Sequence, residues 1–183
     1  MLSEEIKSEL LVETLKIMDL LNINIRTSFW DKKDGDIKYV EGSEYLGAFF
    51  WNIADDWENP ETRVYKDPTI ALNPRARQLL LKPKNEDEGF FGKSLVVHEL
   101  THYLQVADYK ILQGWPDYHI PYDPSNPLLY YSQQVEFEAF TVCSYYYLVK
   151  TDHIDQLNPD DGLFRERLID LYLQLTGGVA VFN

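Results

Sequence analysis

Two histidines four residues apart on an α-helix lie on one face, one turn apart, and their imidazoles can meet on a single metal ion. Residues 98 to 102 of this chain read His98, Glu99, Leu100, Thr101, His102 and have that spacing. Glu99 is one position further round the helix than His98. That offset keeps its carboxylate out of the metal's reach and near a water held there, where it can accept the proton as the water attacks a carbonyl. The chemistry so encoded is hydrolysis assisted by Zn2+. Leu95, Val96, Val97, Leu100 and Leu104 interleave with the polar set, as in a helix buried on several sides. A buried histidine pair with no partner is costly. A structural zinc site favours four Cys or His ligands, and the chain has one Cys and 4 His.

A hydrolytic zinc site wants three protein ligands and one open position. In the elongated HExxH pattern a Gly follows three residues after the second His and a ligand three further on; those positions hold Gln105 and Asp108. A helix that continues without the Gly carries Asp108 about 9 Å along the axis and roughly 240° round from His102, so it points away. The segment QQVEFEAFTVC offers Glu136 and Glu138, two positions and roughly 200° apart, so only one can face the ion. Glu136 shares its face with the small Ala139 and Cys143, Glu138 with the bulkier Thr141, Val142 and Tyr145. Ligands on facing helices need a close approach, which favours Glu136 as the third ligand and leaves Glu138 as the alternative.

His-Glu-Leu-Thr-His followed on a second helix by Glu136, Phe137, Glu138 and Ala139 resembles the gluzincin branch of the zincin metallopeptidases. In that branch HExxH is joined by a distal Glu, often followed three residues later by a small residue. The resemblance covers the stretch from about Pro68 to Leu148. It implies a zinc cofactor and a peptide or protein substrate. It also implies a small sheet whose antiparallel edge strand precedes the motif helix and binds extended peptide; Thr69 to Asn73 sits where that strand is expected. The chain departs from thermolysin-like members at the third ligand, where Gln134 and Val135 precede Glu136 and Phe140 replaces an acidic residue. The groups behind His98 and His102 are therefore unassigned.

A metallopeptidase also needs a donor for the developing oxyanion. The stretch from Gln113 to Tyr131 offers Tyr118, His119, Tyr122, Tyr130 and Tyr131, of which His119 is the first choice. His153, in the polar run TDHIDQ, reads as a solvated loop residue, and Tyr145 to Tyr147 as a helix packed on two sides. The competing functional class is a catalytically silent zincin-fold protein that binds or regulates a partner.

The elements that must position these residues follow from periodicity. Ser3 caps a first helix with apolar residues at helical spacing from Ile6 to Leu21. INIRTSFW, DIKYV and LGAFFWNIA are β-favouring runs separated by turn-rich segments and read as an antiparallel meander. TRVYKDPTIALNP is a further extended stretch, and Pro68 inside it suggests an edge strand closed by Pro74. The motif helix spans roughly 90–107 behind an acidic cap at 85–88, a proline-rich loop occupies 114–127, and helices follow over roughly 132–150 and 163–175. The expected fold is α+β: a small antiparallel or mixed sheet with an edge strand beside the HExxH helix, then a mainly helical C-terminal half, zincin-like, in a single domain over 1–183.

Composition limits the partners. With 45% hydrophobic residues and charge spread along it, the chain should fold. A net charge of −13 repels phosphate backbones and anionic membrane surfaces, which argues against nucleic acid and membrane and favours neutral or basic targets. No basic, apolar leader opens the sequence, no run approaches a membrane span, and Cys143 has no intrachain partner cysteine, so a cytoplasmic location is expected. Oligomeric state is left open.

Overall fold

The computed structural model describes residues 2–23, 37–42, 46–54, 64–105 and 120–182, with backbone alone for 50–54 and 64–67. The described residues form a mixed α+β structure of six α-helices and a three-stranded sheet. Helix α1 spans Glu4–Leu20. Ser3 accepts a hydrogen bond from the Ile6 N–H, Glu4 and Glu5 complement the helix N-terminus, and Leu10, Thr14, Ile17 and Met18 face the core.

Strands β1 (Lys38–Glu41), β2 (Gly47–Ala54) and β3 (Val64–Leu72) follow. Their order is β1-β3-β2, with β3 parallel to β1 and antiparallel to β2. Two expectations are corrected here. The sheet is mixed and is not a meander, because β1 and β2 are neighbours in sequence but not in space. The stretch over Thr69 to Asn73 is not an edge: β3 is the central strand. Proline is tolerated there because the ladder avoids it. Pairing with β2 shifts register between Phe50 and Asn52, so Asp67 and Pro68 together oppose Trp51, and pairing with β1 begins only at Thr69. Among the described residues β2 lies at the end of the sheet. The first β-favouring run falls almost wholly outside them.

Helix α2 (Pro74–Leu81) was not expected from the sequence, where Pro74 reads as a stop. Asn73 accepts from the Ala76 N–H at 2.9 Å and Pro74 takes the first helical position, where a missing N–H costs nothing. Helix α3 (Glu86–Gln105) carries the motif and starts earlier than its apolar pattern, because Asn85 accepts from the Glu88 N–H at 2.8 Å. It crosses α2 at Gly92, where a Cβ would stand 2.8 Å from the Leu80 backbone nitrogen. Helices α4 (Pro127–Tyr131), α5 (Gln134–Lys150) and α6 (Phe164–Leu175) complete the set, with a 3-10 turn at Ile154–Gln156.

Helix α3 is central, packed by α5, α2, α1 and β2. Val96, Val97, Leu100 and Leu104 join Leu10, Met18, Ile70, Val142, Leu148, Leu168 and Ile169 in one core. Each such side chain contributes about 1.5–3 kcal/mol on burial, and together they hold a helix that also buries His98, Glu99 and His102. Tyr146 and Tyr147 lie in the same core, the latter edge-on to Phe91 and Tyr172, in keeping with a helix packed on two sides. Among the described residues no helix is long and apolar enough to cross a membrane.

Candidate metal centre

Helices α5 and α3 pack against each other, and the α5 face that carries Glu136 has small side chains. Ala139 and Cys143 are fully buried between the helices, and Glu136, one turn earlier on the same face, reaches the histidine pair. His98 Nε2 and His102 Nε2 are 3.0 Å apart, and Glu136 Oε2 is 3.4 Å from the first and 3.6 Å from the second. All three residues are buried. Zinc bonds of about 2.0–2.1 Å at tetrahedral angles separate the ligand atoms by about 3.3 Å. The three observed separations bracket that value, so the donor set suits a zinc ion in both chemistry and spacing.

Each imidazole is held differently from behind. The Nδ1 of His102 lies 2.8 Å from Gln105 Oε1, and the Gln105 amide nitrogen donates to Val135 O at 2.9 Å and to Glu138 Oε2 at 3.1 Å. Glu138 is therefore turned to Gln105 and Gln134, away from the histidine pair. His98 is instead packed. The Phe140 ring lies 4.4 Å from its own, centroid to centroid, and Cys143 Sγ is 4.0 Å from its Nδ1. Phe140, which stands where a thermolysin-like acid would be, in turn meets Tyr131 and Tyr130, which meet the exposed Tyr122. A series of aromatic contacts thus runs from the surface to the His98 ring.

Glu99, next to His98 on α3, is buried against β2. A Cβ at Gly47 would stand 2.7 Å from Glu99 Oε1, so the absence of a side chain at 47 is what makes room for this carboxylate. Burial raises the Glu99 pKa, as does the Glu136 charge, while His98 and His102 oppose the rise. A carboxylate with raised basicity suits a general base. For His102, burial acts downward, but the charge and hydrogen bond of Glu136, helped by Glu99 and Gln105, overcome it and push the pKa up to about 9. The same carboxylates favour any cation placed between the rings.

Tyr130 is brought to the site from α4. Burial, then the neighbouring Glu136 carboxylate to which its hydroxyl hydrogen-bonds, raise its pKa, so it stays an O–H donor. The sequence placed it among five possible oxyanion donors. His119, the first choice, and Tyr118 lie outside the described residues, as does Asp108. His153 is bonded to Thr151 in the turn after α5. Sequence reasoning missed Gly47 and Gln105. Only Gln105 left a signal: a long polar side chain three residues after His102 on the buried face.

Comparison of the chain with protein-family models, with curated proteins and with solved structures finds no match.

Proposed function

We propose that the protein is a zinc-dependent metallopeptidase, zincin-like in fold and gluzincin-like in ligand set, that hydrolyses peptide bonds of peptide or protein substrates. The observation that carries this reading is the spacing of His98 Nε2, His102 Nε2 and Glu136 Oε2, with the buried carboxylate of Glu99 on the same helix. Those three atoms would hold Zn2+, which when bound supplies Lewis acidity to the scissile carbonyl and lowers the pKa of water. Glu99 accepts the proton of the attacking water and passes it to the leaving amine. Tyr130 keeps its proton and donates a hydrogen bond to the oxygen on which charge develops. The strand β2, which lies at the end of the sheet among the described residues and passes Glu99 at Gly47, takes the role expected of Thr69–Asn73: it aligns an extended peptide.

Zinc content and cleavage of a peptide library, measured on the wild type and two variants, test the reading. The wild type should bind one zinc and cleave. His98→Ala should lose the metal, and Glu99→Gln should keep it while hydrolysis falls roughly 10²–10⁴-fold. A folded protein that takes up no zinc contradicts the reading. Zinc retention with no cleavage by the wild type would instead favour the silent, partner-binding class.

A further inference from the structure

Gln105 is fully buried and bonds to both helices of the site, yet the hydrolytic steps leave it without a part. Its amide can face only one way. The atom toward Val135 O and Glu138 Oε2 meets a backbone carbonyl and a carboxylate, which accept and cannot donate, so that atom is the NH2 group. The carbonyl oxygen then faces His102 Nδ1 at 2.8 Å, and an oxygen that only accepts requires a proton on Nδ1. The remaining nitrogen, Nε2, is the one directed at His98 and Glu136. Three hydrogen bonds thus determine which nitrogen of His102 is offered to a metal. They also tie the end of α3 to the start of α5, at Val135, one residue before Glu136, and at Glu138, two residues after it.

Resting on the zinc-site reading above, we propose that Gln105 is a positioning residue for metal binding. It fixes the His102 ring with Nδ1 protonated and Nε2 as donor, and it sets the distance between His102 and Glu136 through Val135 and Glu138. A neutral amide suits this place. Glu99 and Glu136 already bury two carboxylates beside the rings, and a carboxylate at 105 would face Val135 O and Glu138 with no proton to give.

The test measures zinc affinity by competition with a chromophoric chelator in the wild type, Gln105→Met and Glu138→Gln. Gln105→Met keeps the volume and removes every hydrogen bond, and zinc affinity should fall about 10–100-fold. Glu138→Gln keeps an amide oxygen as acceptor for the Gln105 NH2 and should weaken zinc binding by less than Gln105→Met; a larger loss would make Glu138, and not Gln105, the positioning residue and overturn the proposal. A purely structural glutamine would destabilise the metal-free and zinc-bound forms alike and leave affinity unchanged, which would overturn the proposal. Nitrogen-edited NMR of the zinc-bound wild type gives a check that needs no variant. His102 should carry a slowly exchanging proton on Nδ1 with zinc on Nε2, and zinc on Nδ1 overturns the proposal even if Gln105→Met fails to fold. Absence of zinc binding by the wild type overturns the zinc-site reading and this inference with it. Equal affinity in wild type and Gln105→Met overturns only the inference.

Discussion

The wall of the site built by α5 and the wall built by β2 hold their side chains by different means. On the α5 side the small Ala139 and Cys143 bring the helices together, and Glu136, Val135 and Glu138 then engage the histidine pair through direct polar contacts and the Gln105 amide. On the β2 side the working feature is an absence, the missing side chain of Gly47 against which Glu99 rests. Under the proposed function, the difference follows from what each group must do. Metal donors must agree in position to within a few tenths of an ångström, which takes rigid bonded contacts. A general base must have room to reach a water and then a leaving group, which takes space.

Substitutions on the two walls should therefore separate metal binding from hydrolysis. The largest effect belongs to the α5 wall: Glu136→Ala should weaken zinc binding by more than the roughly 100-fold typical of losing an outer partner, as read by chelator competition. Hydrolysis would disappear with the metal. Next in size, Gly47→Ala should leave zinc affinity unchanged while kcat falls roughly 100-fold, since a misplacement of about 1 Å at a reacting group has that effect. Equal loss of zinc and activity in Gly47→Ala would show that the two walls are not separable.

A third expectation concerns pH. In the metal-free protein the His102 pKa is raised from 6.5 to about 9, so its contribution to stability is fully present below about 6.5 and lost as pH rises through about 9. Urea midpoints of the metal-free protein should fall across that window, by no more than about 3 kcal/mol in unfolding free energy. With zinc bound the fall should vanish, because the metal takes the place of the proton. The smallest effect should come from behind His98, where Cys143 makes only a long sulfur contact. Cys143→Ala should change zinc affinity less than the roughly 10-fold lower bound expected for Gln105→Met, which would set packing behind one histidine against hydrogen bonding behind the other.

How much of this was legible in the sequence depends on how local each feature is. Helices α1, α3, α5 and α6 show in apolar periodicity and caps such as Ser3. That Glu136 and not Glu138 lies beside the histidine pair was readable because small residues on one helical face let a neighbour come close. Helix α2 was within reach, since Asn73 and Pro74 make a good start, but proline after an extended run reads equally as a stop. The central place of β3 was not readable. It depends on a bulge that sets Pro68 beside the ladder, and on β1 pairing across a long crossover. Gly47 against Glu99 joins positions 52 residues apart in the chain, and nothing local to either announces the other.

The most direct test of the proposed metal centre is a crystal structure of the protein grown with zinc, with anomalous differences collected on both sides of the zinc edge. One anomalous peak is expected about 2 Å from each of His98 Nε2, His102 Nε2 and a Glu136 carboxylate oxygen, with Glu138 still bonded to Gln105. A zinc ion held by Glu138, or no peak between the two rings, would contradict the proposed centre.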